Sequence, residues 1–271
     1  MIKSIAPTSP ILKKYIECFY IYEGKSNSVF NYVAFPHFNT GLSFFHGASV
    51  HRQNLNIQLT ENSNAGVQIE ILGKYTTPIL IEYNGKLKEI SIVFKPLGLN
   101  KFFKDNYLSL APNFSQELTN DVWSLFGESL FSGNDDIGKI ESFLHSQFFD
   151  DPALSSIENA LTLLEKCNEQ ISISDIANKV GLNLKTFQRH FKKHMGCSPV
   201  ELRRIYRFRN SLTNKLHSTQ MKNLTEITYD GGYFDQSYLI KEFRKLTNHN
   251  PKDFFKTARK VDGNSIVWEI K

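Results

Sequence analysis

The chain has 271 residues, 41% of them hydrophobic, enough for two ordinary domains with cores of their own. No run of about eighteen apolar residues exists, the opening Met1-Ile-Lys-Ser-Ile-Ala-Pro7 lacks a signal-peptide apolar stretch, and the three cysteines (Cys18, Cys167, Cys197) have no CxxC spacing. These features argue against a membrane span, a disulfide framework or a zinc site, and for a reducing cytoplasm. The net charge of +5 is unevenly placed: residues 155–260 carry 19 Lys+Arg against 10 Asp+Glu, and the remainder 13 against 17, so the positive charge sits where a phosphate-contacting surface would need it.

In chain order, residues 1–150 are rich in Phe, Tyr and β-branched residues broken by turn signals. Strands are predicted at Tyr32–Phe35, Gly41–Phe45, Val67–Leu72, Ile79–Tyr83 and Glu89–Phe94. Tyr83-Asn84-Gly85-Lys86 has the chemistry of a two-residue hairpin turn, since Asn-Gly accepts positive φ. A short helix is predicted from Leu99, and longer ones over Phe114–Phe131 and Ile137–Phe149, the last with Ile137, Ile140, Phe143, Leu144 and Phe148 on one side. Asp150-Asp151-Pro152 breaks the chain and is the expected linker. Leu154–Cys167 then opens a second domain, with Ile157, Leu161 and Leu164 inward.

Two copies of one pattern follow. The first runs from Ile173 to Pro199 and the second from Leu224 to Pro251. Ile176 aligns with Ile227 and Gly181 with Gly232; after one added residue in the turn, Phe187 aligns with Leu239, Phe191 with Phe243 and Pro199 with Pro251. Each copy reads as a short helix, a glycine turn and a longer basic helix, which is a helix-turn-helix. In the first, Asp175 or Ser174 is the expected cap of the short helix, Ile176 and Val180 face inward, Asn183 caps the second helix, and Phe187 and Phe191 anchor it. The buried set of the second copy is Ile227, Leu239 and Phe243. A solvated amphipathic helix accounts for one basic face; apolar anchors, turn glycine and terminal proline kept across two copies are far more specific to DNA binding.

The stretch Gly232-Tyr-Phe-Asp-Gln-Ser-Tyr-Leu-Ile-Lys-Glu-Phe-Arg244 with Pro251 resembles the second-unit signature of the AraC/XylS family of bacterial transcription regulators. Arg203–Leu212 resembles that family's linker helix, with Ile205, Phe208, Leu212 and Leu216 as its apolar stripe. The resemblance covers about Ser155 to Lys260. It implies base contacts from Lys185, Gln188 and Arg189 in the first unit and from Gln236, Ser237, Ile240 and Lys241 in the second. Lys192, Lys193, Arg244 and Lys245 are the expected phosphate contacts. Three positions depart from the family pattern: Thr228 replaces a small Ala, Asn248 stands where Gly usually ends the recognition helix, and Ser237 with Ile240 are weaker base readers than Arg or Gln.

The expected fold is therefore two domains: an N-terminal α+β half with a β-rich, barrel-like sheet plus helices, and an all-α C-terminal half with two helix-turn-helix units joined by a long helix. The expected boundaries are 1–150 for regulation and dimerisation, 151–262 for DNA binding and 263–271 for a tail. Phe35-Pro-His-Phe-Asn-Thr-Gly41, Leu72–Pro78 and Ile92–Gly98 loosely resemble one subgroup of the family's sensor halves, which does not name an effector. The resemblance implies double-stranded DNA as partner, with RNA polymerase, an unknown effector and a homodimer through the N-terminal helices as further partners, and activation more than repression. An effector pocket between sheet and helices would be lined by Phe35, Phe44 and Phe94; plain core is the alternative for these rings.

No nucleophile–base set, paired carboxylates or phosphate loop points to catalysis, and no cofactor is indicated. His37, His46 and His51 lack the spacing of a metal site. The competing class, a DNA-binding domain fused to an enzymatic or metal-dependent sensor, finds poor support: a DNA-repair alkyltransferase fusion would need a reactive Pro-Cys-His and a cysteine cluster, and Cys18 lies in Ile-Glu-Cys-Phe-Tyr. A third reading leaves the N-terminal half as a dimeriser that senses nothing.

Overall fold

The computed structural model describes residues 2–132, 136–166, 171–217, 226, 228, 233, 235–257, 259–260 and 267–270. The N-terminal half is built on two sheets. The first has the order β1 (Ile2–Ile5), β2 (Ile16–Glu23), β9 (Lys88–Phe94), β4 (Thr40–His46), β7 (Gln68–Leu72), β10 (Ser115–Glu117). The second contains β3 (Val29–Ala34), β8 (Ile79–Asn84), β6 (Asn56–Glu61) and β5 (Ala48–Gln53), extended at the β3 edge by β12 (Val267–Ile270) and β11 (Arg259–Lys260). All described pairs are antiparallel except β6 with β8.

Strand periodicity assigns the two faces of the first sheet to different layers. Phe19, Leu42, Phe44, Ile90, Ile92 and Phe94 face one way, into a core completed by Leu12 of α1 (Pro10–Tyr15), Tyr107 of α2 (Tyr107–Leu110), Trp123 and Leu130 of α3 (Asp121–Leu130) and Ile140 and Leu144 of α4 (Asp136–Gln147). Tyr20, Tyr22, Gly41, Ser43, Glu89, Ser91 and Val93 alternate with them and face the second sheet. The central strands are thus buried on both faces, and they read as near-continuous apolar runs for that reason.

Several expectations are corrected here. Strands Ile2–Ile5, Ile16–Glu23, Ala48–Gln53 and Asn56–Glu61 add to the predicted five. The Asn84-Gly85 turn makes no hairpin: β8 pairs with β3 and β6, β9 with β2 and β4, so the turn carries the chain from one sheet to the other. The helix expected over Phe114–Phe131 is a three-residue strand followed by α3, whose start is set by Asn120 accepting from the Trp123 N–H. The tail expected at 263–271 contributes a strand, Trp268 pairing with Ala34 and Ile270 with Tyr32.

The C-terminal half is helical: α5 (Ser155–Lys166), α6 (Ile173–Lys179), α7 (Leu184–Met195), α8 (Pro199–His217), α9 (Gln236–Thr247) and α10 (Pro251–Thr257). Ser198 and Glu201 form a reciprocal cap that starts the long α8, each side chain accepting from the other's backbone N–H at 3.2 and 2.8 Å. Ile205, Phe208 and Leu212 of α8 are buried as expected; the Leu216 side chain lies outside the described residues. Among the described residues no helix is long and apolar enough to cross a membrane.

The halves dock through shared cores. Leu97, held at φ 66, joins the cluster of Ile176, Phe187, Phe191 and Met195. Val33 and Phe35 join that of Phe208, Leu239, Phe243 and Phe254. Lys101, 1% exposed in its side chain, pairs at 2.7 Å with both Asp150 in the linker and Glu158 on α5.

Candidate nucleic-acid interface

The first unit is set by its caps. The helix α6 is capped by Ser172, not by Ser174 or Asp175: it begins at Ile173, so Asp175 is three residues in and returns a bond to the Ser172 backbone N–H. Gly181, at φ +76, makes the turn, and Leu182 N–H closes on the Ala177 carbonyl at 2.9 Å. Asn183 then accepts from the Thr186 N–H at 2.9 Å and starts α7. Gly196, at φ +70, ends α7; a Cβ there would collide with the Tyr107 ring, so the glycine also lets the N-terminal half approach.

These ends fix the rotation of α7. Phe187, Phe191 and Met195 point inward, the two rings meeting edge to face at 5.5 Å. Lys185, Gln188, Arg189, Lys192 and Lys193 are all exposed. Leu184, at the first position of α7, is also exposed and stands beside Lys185; it was not singled out in the sequence because a leucine opening an amphipathic helix reads as core. His190 and His194 lie edge to face at 4.7 Å; burial, then neighbouring cationic side chains, push both below the ordinary histidine range, His194 to about 4, so at neutral pH neither adds charge to the face.

The second unit repeats the plan with different chemistry. Asp235 caps α9 by accepting from the Tyr238 N–H at 2.7 Å, and Asn248 ends it at φ 61, the backbone usually given to glycine. Leu239 and Phe243 are buried; Gln236, Ser237, Lys241, Arg244 and Lys245 are exposed, and Ile240 is half-buried. Thr228, at the position where Ala is usual, is 4% exposed. Ile227 and Gly232 lie outside the described residues. Arg204 of α8 grips Glu242 of α9 with two bonds, Nε at 2.6 Å and Nη2 at 2.9 Å, and Phe208 meets Phe243 edge to face at 5.2 Å. The long helix therefore fixes α9 both by an ion pair and by packing.

A cavity of about 110 Å³ lies between the two sheets. Phe35 is on its wall, but Phe44 and Phe94 are not: both sit on strand positions that face α3 and α4, where they are core. The expected pocket between sheet and helices is corrected accordingly. The actual walls are tyrosines (20, 22, 32, 75 and 83) with Glu89, Ser91, Ser43, His37 and Asn39, and one residue from the other half, Arg209 of α8. Tyr83 and Ser91 donate to Glu89 at 2.5 Å each; burial nevertheless pushes its carboxyl above the usual carboxylate range. Arg209 was missed because it lies one residue past Phe208 in a basic helix, where an arginine ordinarily reads as solvated. The histidines do not gather: His37 is in the cavity wall, His46 is exposed and stacks on Phe131 at 5.0 Å, and His51 is exposed. Among the described residues no three His, Cys, Asp or Glu side chains are placed to hold a metal.

Residues 176–257 match a family described as a helix-turn-helix domain, and residues 3–113 match a domain of unknown function, DUF6597. The chain is 31% identical over 88 residues to an uncharacterized HTH-type transcriptional regulator, YdeC of Bacillus subtilis, covering 32% of this chain and 30% of that protein. It is 30% identical over 94 residues to the HTH-type transcriptional activator RhaS of Salmonella schwarzengrund, covering 34% and 32%. The chain thus spans about a third of the length of the curated relatives it matches. Among solved structures, ToxT of Vibrio cholerae aligns over 88% of this chain and 97% of its own, at 12% identity and a TM-score of 0.46.

Proposed function

We infer that this chain, which belongs to the AraC/XylS family, is a sequence-specific DNA-binding transcription regulator whose N-terminal half senses an effector. The observation that carries the reading is the pair of capped helices, α7 and α9, each anchored by buried residues and each exposing basic and amide side chains on its opposite side. Lys185, Gln188 and Arg189 read bases from the first unit, and Gln236, Ser237, Ile240 and Lys241 from the second. Exposed Leu184 adds an apolar surface suited to a thymine methyl. Lys192, Lys193, Arg244 and Lys245 hold phosphates and set register. The DNA-binding region corresponds to about 151–262, and the site of action is the cytoplasm.

Activation, by contact with RNA polymerase, is the favoured sense of regulation, supported by the name of the RhaS relative alone. A homodimer would form on α3, where Val122 and Leu125 are 51% and 73% exposed and one helical turn apart.

The test is selection of bound duplexes from a random pool at near-physiological salt. Enrichment of two short blocks about ten base pairs apart is expected. Absence of any enriched block, with and without candidate effectors, would overturn the reading.

A further inference from the structure

Among the described residues, the cavity between the sheets presents donors that meet no protein acceptor on His37 and Arg209, with the Asn39 side-chain amide beside them. His37 is 7% exposed and its Nδ1 accepts the Asn39 backbone N–H at 2.9 Å. A neutral ring in that position carries its proton on Nε2, and Nε2 has no partner. Burial, then the Arg209 and Lys74 charges, hold the ring well below the ordinary histidine range, so neutral is its state. Arg209 is 4% exposed. Its Nε donates to the Pro36 carbonyl at 2.7 Å and its Nη2 to the Phe35 carbonyl at 2.5 Å, while Nη1 has no partner.

Among the described residues, the acceptors of the Arg209 guanidinium are two neutral carbonyls. Glu89, the acid in the same wall, is already engaged by Tyr83 and Ser91. A buried cation without a counter-charge is costly, and the cost is removed by an anion that accepts from it. The rest of the wall sets the shape of that anion. Tyr22 lies 4.3 Å from Tyr83, and Tyr32 stacks on Tyr83 at 6.1 Å, so the walls are flat and aromatic. A volume of about 110 Å³ is about seven to eleven times the roughly 10–15 Å³ that one water needs, which admits a compact organic ligand.

We propose that the cavity binds a compact monocarboxylate with a flat apolar body, its carboxylate bridging Arg209 Nη1 and His37 Nε2. This rests on the reading of the chain as an effector-responsive regulator and names the chemistry of that effector. The assignment has a mechanical consequence. Arg209 belongs to α8, and Phe35, on the same wall, meets Phe254 of α10 at 4.9 Å, in the core shared with Leu239 and Phe243 of α9. A ligand held here touches both halves of the protein at once, and any change it makes in the position of Phe35 or Arg209 is delivered to the second recognition helix.

The test compares acids with their own amides on the purified full chain: phenylacetate with phenylacetamide, and cinnamate with cinnamamide, by calorimetry and thermal unfolding. At least one acid is expected to bind one-to-one and raise Tm, with its amide about tenfold or more weaker, since the amide keeps the shape and loses the charge. The same preference is expected to shrink in Arg209→Gln and in His37→Leu, checked for folding by circular dichroism; the acid–amide comparison on the natural chain stands even if neither variant folds. Equal binding of acid and amide, or no binding of either acid at millimolar concentration, would overturn the proposal. Acid binding that leaves affinity for the selected duplex unchanged would uphold the site and count against the effector-responsive reading.

Discussion

The two helix-turn-helix units share a sequence pattern but lean on the N-terminal half in different places. The first receives Leu97, from the loop after β9, into its core, with Phe38 stacked on Tyr206 at 4.7 Å and Tyr107 seated on Gly196. Tyr107 belongs to the layer of helices packed on the outer face of the first sheet, away from the cavity. The second unit receives Val33 and Phe35, and Phe35 is itself a wall of the cavity. Arg209 adds a second link between the cavity and the helix that holds α9. Equal-looking repeats are thus mechanically unequal. The first contact borders an open cleft at the junction, lined by Phe38, Leu97 and Tyr206, and the second shares Phe35 with the cavity between the sheets.

The largest expected effects separate the two contacts. Phe35→Ala should cost about 3–5 kcal/mol, and Leu97→Ala about 2–5 kcal/mol with the altered backbone preference at φ 66 included. Hydrogen exchange should show loss of protection in α9 for the first variant and in α7 for the second. Uniform loss in both helices for both variants would mean that the units open together, and the contrast would fail.

Base reading sharpens the comparison at a smaller scale. Arg189→Ala should weaken specific binding by about 1–3 kcal/mol and relax one position of the first block. Lys193→Ala should weaken all sequences alike and lower the salt slope by about one unit. Equal losses on specific and random duplexes for both variants would remove Arg189 from the base readers.

The junction should also respond to pH. His37 is buried neutral, so below about pH 6.5 the unfolded chain takes up a proton that the folded chain refuses, and stability falls as pH drops. The slope approaches about 1.4 kcal/mol per pH unit for that one ring, partly opposed by Glu89, whose raised pKa favours the folded state on acidification. Burial pushes Lys74 down to about 8 from 10.5, which raises stability from about pH 8 as the unfolded chain alone keeps the proton, until the buried Cys18 and Cys197 thiols, pushed up to about 11 from 9, oppose it above about pH 9. Urea unfolding across pH should give a shallower acid limb in His37→Gln and, in Lys74→Met, loss of the rise between about pH 8 and 9. Unchanged limbs would place both groups in contact with water.

The smallest effect is a cap. Ser172→Ala should cost about 1 kcal/mol and fray α6, read by urea unfolding. The same loss from Ser174→Ala would contradict the cap seen here.

Much of this was legible in the sequence because local chemistry decides it. Asn183, Gly181, Asn248 and the Phe187–Phe191 spacing act within a few residues of themselves, and the outward faces of α7 and α9 follow from the anchors. The missing strands were harder. Ile16–Glu23 is apolar on both faces and lacks alternation, while Ala48–Gln53, at the sheet edge, and its neighbour Asn56–Glu61 each bury only two residues among polar ones. The cavity was misplaced by a matter of parity: Phe44 and Ser43, or Phe94 and Val93, are adjacent in sequence but face different layers, and nothing local says which layer is hollow. Arg209 and Phe35 meet across 174 positions, a pairing that tertiary structure alone reveals.

The central claim is that both units read DNA from one chain, and methylation interference on the selected duplex tests it most directly. The account predicts two groups of interfering major-groove positions about one helical turn apart, with Arg189→Ala erasing contacts in one group and Lys241→Ala in the other. A single group, lost alike in both variants, would contradict it.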